Sequence, residues 1–269
     1  GRGRVHALRE HHRQRQDERE AEQDALAVRV HPAAESEREV GHPPIGRAAR
    51  GHIALQAHGD PIRFRSIRVR DFDAEPAGGI DLLRNESGEP SLERWTHFLT
   101  EDRPMSEVWT LADGVLQCQG RPIGYIRTRA DHQDFVLQLR WRFDPERGAG
   151  NSGVLVRMIG EDRVWPRSVE AQLQSGRAGD FWNIGEFGMR TDPERLSGRN
   201  TRHRFANERP LGHWNHYEII VNRGEVRLRV NGEELNVATE VDRVPGKICL
   251  QSEGAYIEFR DLRLVPLRP

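Results

Sequence analysis

With 269 residues, the chain has room for one large β domain or two ordinary ones. Its 41 basic residues offset 42 acidic ones, so no global field favours nucleic acid or an anionic membrane as a partner. No apolar run approaches the ~20 residues that span a bilayer, and the two cysteines, Cys118 and Cys249, form neither a disulfide framework nor a metal spacing.

Residues 1–50 hold no Phe, Trp or Tyr, and "REHHRQRQDEREAEQD" is a mixed-charge run. Too little apolar surface is present there to offset chain entropy, which predicts a disordered or irregular tail. His6, His11 and His12 read as part of that solvated tail rather than as metal ligands. A coding start out of frame would give the same composition. The first methionine is Met105, so a natural start upstream is expected. The stretch "GHIALQAHGDPIRFRSIRVRDF" (51–72) returns as "GKICLQSEGAYIEFRDLRLVPL" (246–267), with nine of 22 positions identical. The second copy predicts the closing strand pair of a sandwich. The first predicts an orphan pair from a preceding sandwich, contributing little to any site. "DAEPAGG" (73–79) reads as a linker.

From 80 to 269 the pattern is β. "DFVLQLRWRF" sets Phe135, Leu137, Leu139, Trp141 and Phe143 on one face and Gln138, Arg140 and Arg142 on the other. "GVLVRM", "SVEAQLQ", "HYEIIVN" and "EVRLRV" behave similarly. Asn231-Gly232 between two alternating runs is a strong hairpin signal, and "VNRGEV" supplies another turn. Short strands at regular spacing, with no convincing 3.6-residue period, predict an all-β antiparallel sandwich or jelly roll. Cys118 and Cys249 both fall in strand-like runs and read as buried thiols, with a single bridge as the alternative.

The run "GNSGVLVRMIGEDRVWPRSVEAQLQSGRAGDFWNIGEF" is distinctive. With "WTLADGVLQCQG", "GYIRT", "GHWNHYEIIVNRGEVRLRVNG" and "VPGKICLQSEGAYIEFRDLRL", it resembles the 3-keto-disaccharide hydrolase family over roughly 80–267. The resemblance implies a concanavalin-like jelly roll, often in exported bacterial proteins, although no signal peptide is visible. Tandem domains in such proteins would suit the repeated strand pair. The implied activity is cleavage of glycosides whose sugar carries a ketone at C3. That ketone acidifies the C2 proton; a base removes it, the enolate expels the C1 substituent, and water adds. Such a site needs a base, a stabiliser of enolate charge and a proton donor. It does not need two carboxylates flanking the bond. Carbohydrate is the expected partner. A divalent cation is allowed by the fold but demanded by no spacing. A non-catalytic carbohydrate-binding sandwich is the competing expectation, and only the enzyme needs a carboxylate with a perturbed pKa.

In "SVEAQLQ", Val169, Ala171 and Leu173 face the core, leaving Glu170, Gln172 and Gln174 on the other face. Glu170 is the expected base or metal ligand, with Gln172 and Gln174 on sugar hydroxyls; a solvated polar face is the plain alternative. A second acid would have to come from another strand. Asn151 and Ser152 stand at a Gly-flanked strand entrance and read equally as turn residues. Arg157 is expected to share the Glu170 face, stabilising an enolate or pairing with a carboxylate. Trp165 and Arg167 suit a sugar ring, or the closed end of a sandwich. The Gly-rich segment beyond supplies Asp180, Trp182 and Glu186 as acid, stacking platform or metal ligand. His203 lies in an irregular loop suited to covering this face, whereas His213 and His216 read as structural or surface residues.

Overall fold

A computed structural model describes residues 79–267. The readings of 1–50, of 51–72 and of nearly all of 73–79 fall outside the described residues. Numbered in chain order, the strands form two antiparallel eight-stranded sheets. The first runs β14(Glu233–Ala238), β13(Glu225–Val230), β12(Asn215–Asn222), β6(Phe135–Phe143), β16(Ile257–Pro266), β4(Val115–Cys118) and β3(Trp109–Ala112), with β1(Ile80–Asp81) paired to β16. The second runs β10(Leu196–Ser197), β11(Asn200–Thr201), β9(Phe181–Ile184), β8(Arg167–Gln172), β7(Gly153–Ile159), β15(Lys247–Ser252), β5(Gly124–Thr128) and β2(Trp95–Leu99). Among the described residues the one helical element is a 3-10 turn, Met105–Glu107. The architecture is the expected jelly-roll sandwich.

Alternation drives the packing. All five apolar residues of β6 named above are buried in the inter-sheet core, beside Val154, Val169, Ala171, Phe181, Ile219, Leu228, Ile248 and Phe259. Each such side chain, fully withdrawn from water, contributes about 1.5–3 kcal/mol. The Asn231-Gly232 turn joins β13 to β14 with both residues at positive φ, 49° and 87°, as the dipeptide predicts. Cys118 and Cys249 are both buried free thiols, the first in the inter-sheet core and the second outside it.

Two features of the second sheet position the site. Its outer face carries a small apolar cluster of its own, Tyr125, Leu155, Met158, Ile184 and Cys249, flanked by Phe98 and Trp182. The β7–β8 loop is tied down beside it: Asp162 accepts from Tyr125 OH at 2.9 Å and from Arg127 Nε and Nη2 at 2.8 Å each. The second feature is a bulge in β7. Its register shifts against β8 between Val156 and Ile159, and against β15 across Lys247 and Cys249, with Arg157 at φ 53°.

Candidate functional site

The core-facing turn of Val169 and Ala171 leaves Glu170 on the outer face of β8, in register between Leu155 of β7 and Trp182 of β9. Its carboxyl is only 5% exposed, and Oε1 has no hydrogen-bond partner. Gln251, on β15, is 3% exposed and its Oε1 is also unpartnered. A Cβ built on Gly153 would stand 2.1 Å from Gln251 Oε1 and 2.4 Å from Glu170 Oε1. The two side chains thus meet over a glycine that leaves them room. One proton reconciles two facing acceptors: a neutral Glu170 donates to Gln251 Oε1, or the amide, turned over, donates to an ionised Glu170.

Two residues along the chain from Gln251 comes Glu253, whose Oε2 is buried and unpartnered and whose Oε1 lies 3.5 Å from Trp165 Nε1. Trp165 projects from the β7–β8 loop and is 56% exposed. Asn151 Oδ1, two residues before Gly153, is a further buried acceptor without a donor. Burial, and then the Glu253 charge, push the Glu170 carboxyl well above the usual carboxylate range, while Arg199 opposes the shift. Burial also raises Glu253, with the Trp165 N–H working against it. The result is a protonatable carboxyl beside a second acid, with unsatisfied oxygens able to receive hydroxyl or ammonium-like donors, and indole rings on two sides. These oxygens are a donor set of carboxylate and amide type, suited to a hard cation as well as to sugar hydroxyls. Among the described residues, no group of three His, Cys, Asp or Glu side chains is placed to hold a metal.

Asp180 lies next along this face from Trp182, at the leading end of β9, and is completely buried. Its Oδ1 accepts from the His203 main-chain N–H and from His203 Nδ1, each at 2.7 Å. Its Oδ2 accepts from Arg177 Nε at 2.8 Å and Asn200 Nδ2 at 3.3 Å.

Residues 81–265 match the model of the 3-keto-alpha-glucoside-1,2-lyase-like domain. The chain belongs to this family. Solved structures similar to it include a predicted glycosyl hydrolase of Parabacteroides distasonis ATCC 8503, 22% identical, spanning 66% of this chain and 90% of that one with a TM-score of 0.49. Another is the Bacillus licheniformis β-glucanase, 9% identical, spanning 71% of this chain and 99% of that one at 0.47. A third is the carbohydrate-binding module CBM66 of Bacillus subtilis, 12% identical, spanning 63% and 93% at 0.45. No curated protein matches the chain. Membership makes the protein carbohydrate-active and glycosidase-like, as the sequence motifs implied.

Of the residues singled out from the sequence of this lyase-like domain, Glu170, Trp165, Trp182 and Asn151 gather on one face. Others do not. Arg157 leaves the Glu170 face because the bulge turns it toward the end of the sandwich. There Nη1 donates to Val244 O at 2.8 Å, Nη2 to Arg223 O at 2.9 Å, and Asp134 pairs with it. Its guanidinium is 0% exposed, and burial holds it below the usual arginine range. Ser152 is fully buried with Oγ on Gln251 O at 2.9 Å, a strand-bracing role. Gln172 spends Oε1 on the N–H groups of Leu173 and Gln174, and Gln174 is exposed. Arg167 pairs with Asp242 and stacks over Phe187, away from Glu170. Asp180 is sealed by its four donors and reaches no ligand itself. Glu186 is exposed and lines a cleft of about 380 Å³ with Phe187, Met189, Leu196 and Arg199, the last being the residue whose charge reaches Glu170. Gln251, Glu253 and Arg199 were not anticipated. The signal for the first two was present: "KICLQSEG" alternates Cys249, Gln251 and Glu253 to one face.

Proposed function

We propose that the protein cleaves 3-keto-glycosides by elimination and hydration, with Glu170 as the base at C2. The observation carrying this reading is the Glu170 carboxyl: buried, lacking a donor on Oε1, facing Gln251, and held above the normal range. A carboxyl raised in this way is, once ionised, a stronger base than an ordinary carboxylate. The C2–H bond breaks toward Glu170, and its electron pair forms the enolate. The pair then moves to C1=C2 as the C1–O bond breaks and the leaving oxygen takes a proton. Water adds its oxygen to C1, and C2 regains a proton, so the net change is hydrolysis. Arg199, whose charge reaches Glu170, and the Gln251 amide suit the enolate oxygen. Trp182 and Trp165 suit the apolar face of the sugar ring.

The presence of Glu253 favours a second reading, direct hydrolysis of an unoxidised glycoside between two carboxyls. Turnover of a chromogenic 3-keto-glucoside in D2O separates the two. Elimination and hydration place one solvent deuterium at C2 of the released sugar. Release without deuterium at C2, or equal release from the unoxidised glucoside, overturns the elimination reading. Binding without release, unchanged in Glu170→Gln, makes the protein a binding module.

A further inference from the structure

We infer that His203, oriented by Asp180, is the second proton-carrying group of this site and serves the leaving oxygen while Glu170 serves C2; the inference rests on the elimination reading above. Two placements carry it. The first is the face. The ladder pairs Glu170 with Trp182 and Ala171 with Phe181, so its next step sets Gln172 beside Asp180, and the Gln172 N–H donates to Asp180 O at 3.0 Å. Gln172 and Asp180 therefore project to the side that carries Glu170 and Trp182. A carboxylate on an outer face is buried only if other groups cover it. Those groups are His203, Arg177 and Asn200, so the imidazole lies over the face that holds Glu170.

The second placement is the imidazole itself. Nδ1 is committed to Asp180 at 2.7 Å, and no described residue partners Nε2. Glu208, the other acid whose charge reaches the ring, is occupied by the Ala178 N–H at 2.9 Å. A carboxylate gripping Nδ1–H fixes the tautomer, so every proton gained or lost passes through Nε2. The Asp180 carboxylate is itself held by a guanidinium, an amide and a main-chain N–H, which keeps the pair in one orientation. Asp180 is thus a positioning residue and His203 the group that meets the substrate. As the C1–O bond breaks, Nε2 gives its proton to the leaving oxygen. It then takes a proton from the water whose oxygen bonds to C1, while Glu170, its proton by then exchanged with solvent, protonates C2. Both groups finish as they began.

The test compares two 3-keto-glucosides, one with a 4-nitrophenyl leaving group and one with methyl, in the wild-type protein, His203→Gln and Glu253→Gln. A nitrophenolate leaves without an acid; a methoxide does not. Substituting His203 with Gln should slow release of the first 4-nitrophenolate, which precedes hydration, far less than it slows loss of the methoxy group. On the methyl glycoside it should lower turnover by about 10²-fold or more. Equal loss on both substrates, or loss on neither, overturns the assignment, as does the selective loss appearing in Glu253→Gln instead. Should the His203 variant fail to fold, the wild-type protein still decides. Rates nearly independent of leaving-group acidity are expected, and a steep dependence refutes the role. Absence of C2 deuterium in the wild-type protein overturns the elimination reading and this inference together, an outcome distinct from the others.

Discussion

The two outer faces of this sandwich spend their polar residues differently. On the first sheet, charges are paired across strands. Arg229 meets Glu218 at 3.3 Å, Arg227 meets Glu234 at 2.9 Å, and Arg140 meets Asp261 at 3.2 Å. Trp214 is clasped between Arg142 and Arg260, at 4.5 and 4.3 Å from its ring centre. On the second sheet, Glu170, Gln251, Glu253 and Asn151 each hold a buried oxygen with no donor. Buried polar groups are overwhelmingly satisfied in folded proteins, so a cluster that is not marks where a ligand supplies the missing bonds. Polarity alone does not locate a site; unmet polarity does.

The contrast can be broken most directly at its centre. Glu170→Gln should lower kcat/KM on a 3-keto-glucoside by about 10²–10⁴-fold, because a neutral isostere cannot take the C2 proton. Steady-state kinetics with a chromogenic leaving group will show it, and retained activity would move the base elsewhere. Next comes Arg157, whose two terminal nitrogens are both met by buried acceptors. Arg157→Met should leave turnover per folded molecule intact yet reduce stability by about 3–5 kcal/mol, since Asp134 and two carbonyls lose a buried partner. Denaturant unfolding measures this, and a smaller cost accompanied by lost activity would return Arg157 to the site.

A pH effect follows from the raised Glu170 pKa. A carboxyl whose folded value lies above its unfolded value of about 4.3 favours folding fully below that pH. That contribution is lost as pH rises through the folded value, at up to about 1.4 kcal/mol per pH unit. Melting curves of wild-type protein and Glu170→Gln should therefore coincide near pH 4 and diverge toward pH 8, with the variant the more stable. Parallel curves would mean that Glu170 is not strained by burial. The smallest effect belongs to the paired face: Arg227→Gln should change stability by less than about 1 kcal/mol and activity not at all. A marked loss of turnover there would end the distinction between the faces.

Much of this was legible from residue order. The period-2 pattern placed the core of β6, the Asn231-Gly232 hairpin and the outward stance of Glu170, because these depend only on neighbours along one strand. Arg157 was misread because a single extra residue in β7, at positive φ, reverses which side follows; alternation cannot announce its own interruption. Asp180 was misread for another reason. Its partner His203 lies more than 20 residues away, and a sealed carboxylate has the same letter as a reactive one. Gln251 and Glu253 alternated correctly but were read as closing strands, because nothing local tells an edge of the fold from the strand beside Glu170.

Gly153 shapes the site by what it lacks. Any side chain there would press on the tips of both Glu170 and Gln251, which would have to move out of the arrangement they hold here. A residue defined by having no side chain thereby sets how closely the two acceptors approach, without itself touching anything they bind.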